Sequence, residues 1–166
     1  MNKILILGLS ATLALTSCAS KVAQSQESEP REIASTLLES AEPITAKETV
    51  WQDLTLDQAF DKARAEGKLV FVDCYTKTCI PCKMMIEKVF PQEICGSYIN
   101  AQFIPIKLDV EDGEGPAIAE KYRVEIYPTY LILNPDGRKV GEIIGADRDA
   151  ARFIGSIKEI VDNIQD

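Results

Sequence analysis

The sequence of 166 residues contains no histidine. A zinc site normally takes four protein ligands, and a second cysteine pair or two histidines usually complete it. Cys79 and Cys82 form the only close pair among the five cysteines. Cys74 and Cys95 could complete a four-thiolate cage, but they do not form a second close pair. The missing ligands therefore argue against a metal site, and we expect no cofactor.

Basic residues are too few to balance the acidic ones. The chain has 18 lysines and arginines against 26 aspartates and glutamates, which gives a formal net charge of −8. Nucleic acids and anionic membrane surfaces attract positively charged proteins. We therefore expect no nucleic-acid partner, whereas basic or neutral protein substrates remain compatible with the charge.

The N-terminal apolar run, Ile4–Leu15, is too short to span a bilayer as a permanent helix. It follows a positively charged start, as in a secretory signal peptide, and it leads into Leu15-Thr16-Ser17-Cys18, which resembles the lipobox of bacterial lipoproteins. We predict that residues 1–17 are a signal peptide and that Cys18 is lipidated. The chain would then be anchored at the periplasmic face of the envelope, at the outer membrane rather than the inner. An ordinary signal peptide cleaved near Ala19 is the alternative.

The segment after the predicted signal has the composition of a flexible tether. Residues 18–49 are rich in Ser, Gln, Glu, Ala and Thr and poor in aromatic side chains. Ile33–Leu38 is a short apolar island within this segment. Because it is isolated in a polar linker, we interpret it as part of that linker and not as a helical turn or a patch that binds a partner. Residues 50–166 suffice for one domain with its own core.

The most informative motif is Cys79-Ile80-Pro81-Cys82, which follows the apolar run Leu69–Val72. That run predicts a strand buried on both faces, and the motif opens a helix predicted to reach about Phe90. Unpaired N–H groups and the helix dipole at such a position lower the pKa of the first cysteine. Cys82 lies within bonding reach and could resolve a mixed disulfide formed at Cys79. A structural disulfide is the alternative, although such bridges usually close long loops.

The remaining pattern predicts an α/β domain. The expected elements are a helix from the Thr55–Gln58 capping box to Gly67, a strand at Phe103–Val110, a helix at Ala117–Tyr122, strands at Tyr130–Leu133 and Lys139–Ile144 around a tight turn, and a helix at Arg148–Ile164, with Ile164 on its buried face. Their order predicts a mixed central sheet with helices on both faces.

The ordered motifs resemble the thioredoxin family over essentially all of Trp51–Asp166. The matches are Val72-Asp73 before a C-x-P-C, Lys107-Leu108-Asp109 on the next strand, Tyr127-Pro128-Thr129 before the hairpin, and Gly145 before the last helix. The chain is most similar to thioredoxin-like lipoproteins of Gram-negative bacteria and to the C-terminal domain of the transmembrane disulfide-interchange reductase.

The resemblance implies a thioredoxin fold and a thiol–disulfide oxidoreductase. It makes Cys79 the nucleophile and Cys82 the resolving cysteine. Asp73 corresponds to the family's buried carboxylate, which exchanges a proton with Cys82 through water and whose pKa burial raises. Lys107 matches the lysine that tunes this carboxylate.

The resemblance also implies a substrate-binding ledge. Pro128 would be cis and lie against the cysteines, with Tyr127 presenting its backbone to an extended substrate. Two departures alter this surface: Thr78 replaces the family's tryptophan, and Ile80 replaces a glycine. We count Thr78, Ile80 and Pro81 among the substrate-binding candidates, but substrate preference is not carried over.

The expected partners are protein disulfides, with a membrane electron donor for recycling. No histidine lies between the cysteines, which favours a reductant or isomerase over a strong oxidant. The alternative function is a non-enzymatic binding module of the same fold, whose cysteine pair is structural or binds metal. We expect Cys74 to pack as a small hydrophobe and Cys95 to lie in the loop or helix end after the active-site helix, where a bridge between them would be possible.

Overall fold

The computed structural model describes residues 48–164. The predicted signal peptide, Cys18 and residues 18–47 of the predicted tether lie outside the described residues. The elements, in chain order, are α1 Leu56–Glu66, β1 Leu69–Tyr75, α2 Ile80–Met84 continued by a π-helical turn Met85–Val89, α3 Glu93–Gln102, β2 Phe103–Asp109, α4 Gly115–Tyr122, β3 Thr129–Leu133, β4 Lys139–Ile144 and α5 Ala150–Asp162. Within residues 48–164, no helix is long and apolar enough to cross a membrane.

The strands form one mixed sheet in the order β2-β1-β3-β4. β1 runs parallel to β2 and antiparallel to β3, which pairs with β4 as an antiparallel hairpin. One face of the sheet packs against α1 and α4, and the other packs against the π-helical turn, α3 and α5. The prediction of a mixed sheet with helices on both faces is therefore confirmed.

Local sequence explains how the first helix begins and ends. The Thr55 hydroxyl accepts a hydrogen bond from the Gln58 N–H, and the Gln58 side chain accepts one from the Thr55 N–H. This capping box satisfies amides that otherwise lack partners at a helix start. Gly67 ends the helix with a φ of 65°, a left-handed conformation that glycine adopts without steric cost. The predicted boundaries of this helix are confirmed.

The helix after the cysteine pair differs from the prediction, since it does not run as one regular α-helix to Phe90. It changes to the π-helical turn at Met85, and a separate helix, α3, begins at Glu93. Pro91 has no N–H for the helical ladder, which explains the break. Cys95 consequently lies on α3 and is buried, rather than in a loop.

The expected packing of Cys74 as a small hydrophobe is confirmed, whereas the expected burial of Ile164 is wrong. Cys74 belongs to the core between the sheet and α1, whereas Cys95 belongs to the core on the other face. The sheet separates these thiols, so the bridge considered between them does not form, and both are free. Ile164 lies beyond the end of α5 and is 42% exposed instead of buried.

The topology gathers the predicted site residues at one edge of the sheet. β1 runs toward this edge and leads through Thr76 and Thr78 into the cysteine motif. Because β3 is antiparallel to β1 and Cys74 pairs with Thr129, Pro128 lies at the same edge. Chain segments far apart in sequence therefore meet next to Cys79.

Candidate active site

Cys79 and Cys82 are joined in a disulfide, with their Cα atoms 5.3 Å apart. Cys79 is the N-cap residue of α2, and its Sγ accepts a hydrogen bond from the Cys82 N–H at 3.2 Å. Such a donor stabilises a thiolate when the bond is reduced. Cys79 is partly exposed, whereas Cys82 is only 2% exposed. An incoming molecule can therefore reach Cys79, and Cys82 is shielded from it.

Asp73 lies on β1 and is 1% exposed. Its neighbours Val72 and Cys74 face α1, so the alternation of side chains along the strand turns Asp73 to the other face, with Phe71. Burial raises the pKa of the carboxyl to about 7, and the positive charge of Lys107 partly opposes that rise. A carboxyl that titrates near neutral pH can both accept and return a proton.

Lys107 pairs with Asp73 in the parallel register of β1 and β2. Its side chain is exposed, and its Nζ lies 5.9 Å from the ring centroid of Trp51. Lys107 and Cys82 line one cavity of about 190 Å³, together with Tyr75, Ile86 and other residues. The structure thus brings the predicted lysine to the same opening as the resolving cysteine.

The peptide bond between Tyr127 and Pro128 is cis, as expected. The carbonyls on either side of Tyr127 have partners: Thr129 Oγ1 donates to the Ile126 oxygen at 2.7 Å, and the Gly145 N–H donates to the Pro128 oxygen at 2.8 Å. Within the described residues, no backbone hydrogen bond engages Tyr127 itself. Its polar groups are therefore available to an extended peptide.

Exposed isoleucines lie beside the disulfide and beside Pro128. Ile80, between the two cysteines, is 79% exposed, and Thr78 and Pro81 are exposed beside it. Ile126 and Ile144 are 58% and 57% exposed. Ile126 precedes Tyr127 in the loop, and Ile144 pairs with Thr129 next to Pro128.

Ile126 and Ile144 are not among the residues predicted from the sequence. Val124 in the same loop is buried, so an apolar residue there does not by itself indicate exposure. Ile143 and Ile144 point to opposite faces of the sheet, and helices cover both faces. Only the packing around β4, at the edge of the sheet, shows that Ile144 is the exposed one.

Metal binding was the competing use of the cysteine pair. Among residues 48–164, no three Cys, Asp or Glu side chains come close enough together to hold a metal ion. The free thiols are also poor ligands, because burial raises the pKa of Cys74 to about 12 and that of Cys95 to about 11.

The domain is similar in sequence to a known family and to several characterised proteins. A family model described as a thioredoxin-like domain matches residues 56–160. Thioredoxin H2-1 of Oryza sativa subsp. japonica is 38% identical over 93 residues, which are 56% of this chain and 62% of the rice protein. The thiol:disulfide interchange protein DsbD of Pseudomonas fluorescens is 29% identical over 119 residues, covering 69% of this chain and 20% of DsbD. The chain thus spans less than two thirds of either relative.

A solved structure resembles nearly the whole domain. It is the solution structure of a candidate disulphide-isomerase from Bacteroides thetaiotaomicron, 37% identical in sequence, with a TM-score of 0.63. The match covers 70% of this chain and 95% of that one. The shared architecture agrees with the element order predicted from the sequence.

Proposed function

The chain belongs to the thioredoxin-like domain family, and on that premise we propose that it is a thiol–disulfide oxidoreductase that reduces or isomerises protein disulfides through Cys79 and Cys82. The observation that carries the proposal is the asymmetry of the cysteine pair. One sulfur is reachable at a helix start, and the other is shielded and lies on the side of a buried carboxyl. A structural bridge needs neither the exposure of Cys79 nor the burial of Asp73.

The reaction proceeds by two exchanges. The Cys79 thiolate attacks one sulfur of a substrate disulfide, which forms a mixed disulfide and releases the other substrate sulfur as a thiolate. Cys82 then attacks Cys79 Sγ, which forms the Cys79–Cys82 bond and releases the second substrate thiolate. Asp73 takes the proton that Cys82 loses, and the freed substrate thiolates take up protons from solvent. The substrate is reduced by two electrons, and the protein dithiol is oxidised by two.

Substrate binds as an extended strand at Tyr127, whose backbone groups supply hydrogen bonds. Ile80, Ile126 and Ile144 provide apolar contact on either side of the cysteines. This surface suits unfolded or flexible segments whose disulfides are exposed, since main-chain hydrogen bonds and apolar contacts depend little on the amino-acid sequence of the substrate. Thr78 and Pro81 border the point of attack.

We further propose that the domain works at the periplasmic face of the envelope, lipid-anchored through Cys18 and recycled by a membrane dithiol donor. The lipobox-like sequence supports the anchor, and the similarity to an interchange protein supports a dithiol relay. Metabolic labelling with a radioactive fatty acid tests the anchor. Label should enter the parent chain and not Cys18→Ala, and label retained in that variant would refute it.

Insulin reduction by dithiothreitol tests the activity. Cys79→Ser should abolish catalysis, whereas Cys82→Ser should accumulate a mixed disulfide with substrate, because the trapped intermediate cannot be resolved. Cys95→Ala is the matched control, since it removes a buried thiol outside the pair. Full activity of Cys79→Ser would refute the proposal.

The binding-module alternative is tested with a glutathione redox buffer. An oxidoreductase should show a reversible two-electron potential of roughly −120 to −270 mV. A far more reducing value, or stoichiometric bound zinc, would favour a structural or metal-binding pair.

A further inference from the structure

Three polar side chains form a row across the sheet beneath the active-site helix. Asp73 on β1 pairs with Lys107 on β2 and with Tyr130 on β3. Residues directly opposite one another on antiparallel strands, such as Asp73 and Tyr130, point to the same face, with their Cβ atoms about 4.5–5.5 Å apart. The mechanism above uses Asp73 and Lys107 but leaves Tyr130 without a role.

Packing explains the ring of Tyr130 but not its hydroxyl. The residue is 0% exposed, and its ring stacks on Phe71 with centroids 5.6 Å apart. Phe90 and Phe153 contact the same ring edge to face, at 5.6 and 5.0 Å. A phenylalanine would make all of these contacts. The hydroxyl therefore adds a polar atom to an aromatic core without adding to its packing.

The Tyr130 hydroxyl and the Asp73 carboxyl are both buried polar groups. Within the described residues, neither the Tyr130 hydroxyl nor either oxygen of Asp73 has a hydrogen-bond partner. Buried polar groups are nearly always hydrogen-bonded, to protein or to enclosed water. Two unpartnered groups on paired residues of the same sheet face satisfy each other most simply through one water, which needs two or more polar partners.

We propose that Tyr130 is a positioning residue for Asp73: its hydroxyl donates a hydrogen bond to an enclosed water, which donates in turn to the Asp73 carboxylate. The use of this link in catalysis rests on the proposed function. The link holds the Asp73 carboxylate in place from the buried side, where Tyr130 lies, while the exposed Lys107 acts on the same carboxylate from the solvent side. It also makes the charged carboxylate more favourable than burial alone would allow.

Several titratable groups lie near this pair of residues. The charge of Asp73 interacts with Lys107 of β2, Tyr130 of β3 and Cys74 of β1, and Cys95 of α3 acts on Tyr130. Burial and the charge of Asp73 raise the pKa of Tyr130, so the phenol remains a neutral donor at physiological pH. Burial keeps the Cys95 thiol neutral as well, since its pKa rises to about 11. The positive charge of Lys107 opposes the rise of the Asp73 pKa.

The variant Tyr130→Phe tests the link, because it keeps the ring and removes only the hydroxyl. We would follow the Asp73 carboxyl by ¹³C NMR in the reduced full-length protein. Loss of a donor to the charged form should raise the pKa of Asp73 by roughly half a unit to one unit, since a net hydrogen bond and one pKa unit are of similar size. Tyr98→Phe, on α3, which packs against the same face of the sheet, should leave the titration unchanged.

Two outcomes would overturn the proposal. One is an Asp73 titration that is the same in Tyr130→Phe and in the parent. The other is a midpoint of urea unfolding that is higher in Tyr130→Phe, which is expected if the hydroxyl is an orphan and not a donor. Both readouts are independent of activity, so they hold even if the proposed function fails.

The pH profile of mixed-disulfide resolution connects the link to catalysis. Its midpoint should move upward in Tyr130→Phe, and the difference should vanish in an Asp73→Asn background. A midpoint that moves equally in both backgrounds would contradict action through Asp73. The parent protein could lack exchange activity while Tyr130→Phe still raises the pKa of Asp73 in the NMR titration. That result would refute the proposed function and leave the link supported.

Discussion

Replacing Asp73 by asparagine should make the protein more stable at alkaline pH. Burial raises the pKa of this carboxyl in the folded protein to about 7, against 3.8 for an exposed aspartate. Between these two values the folded state holds a proton that the unfolded state has released. Folding stability therefore falls as pH rises through this window, and it levels off above the folded pKa.

The size of the effect follows from the shift. The two pKa values differ by about 3, and a difference of one corresponds to about 1.4 kcal/mol, so ionisation of Asp73 costs the folded state about 4 kcal/mol. Solvent screening does not reduce this figure greatly, because Asp73 is 1% exposed. Asp73→Asn does not ionise and keeps a similar shape. Between pH 4 and pH 8, the parent should lose about 4 kcal/mol more of its free energy of unfolding than the variant does.

Urea unfolding of the oxidised protein at a series of pH values measures this difference. The unfolding free energies of parent and Asp73→Asn should diverge steadily across the window and run parallel above it. Asp53→Asn, at an exposed position, should track the parent. Parallel curves for parent and Asp73→Asn over the whole range would refute the assignment of a buried, ionisable Asp73.

Two other predictions concern binding and packing. Ile126→Ser should raise KM for insulin roughly fivefold, because about 1 kcal/mol of apolar contact is lost, while the reduction of a small aromatic disulfide should hardly change. The control is Ile164→Ser, which replaces another exposed isoleucine beyond the end of α5. Equal effects of both variants would refute a substrate surface at Ile126. Gly96→Ala should lower the free energy of unfolding by about 1–3 kcal/mol, because a Cβ there would clash with the Glu48 backbone, whereas Gly155→Ala, with open space around it, should be neutral or stabilising in the same denaturation assay.

Elements with strong local signals could be predicted from the sequence. The capping box at Thr55 and Gln58 supplies its own hydrogen bonds, so it needs no tertiary partner to be recognised. The run Leu69–Val72 is apolar throughout, as a central strand must be. The helical face of α5 is correct as far as Val161.

The errors arise where tertiary contacts overrule local pattern. β1 continues to Tyr75 through the polar Asp73, because pairing on both sides extends it beyond the apolar run. The separate helix α3 carries a weakly amphipathic sequence and is defined by burial of Cys95 and Ile99 against the sheet. Which face of the sheet each free thiol occupies depends on register, which the sequence does not display.

The site residues also divide into those that a local motif reveals and those that only the strand pairing reveals. Cys79 and Cys82 are recognisable because their spacing carries the chemistry by itself. The hydroxyl of Tyr130 is not, since a tyrosine within an apolar strand looks like core packing until its partner across the sheet is known. Only the register of β1 and β3 sets it opposite Asp73.

The placement of Asp73 argues for a functional reason behind its burial. An asparagine or a leucine would fill the same position in the strand without an ionisation cost of about 4 kcal/mol, which is a large share of the roughly 5–15 kcal/mol that stabilises a typical domain. Packing alone would therefore not favour a carboxyl there. A proton acceptor for Cys82 has to be buried if its pKa is to reach the working pH, so the instability and the chemistry have one cause. On this reasoning, Lys107 and Tyr130 moderate the cost from the two neighbouring strands, and removing either should raise the pKa of Asp73 further.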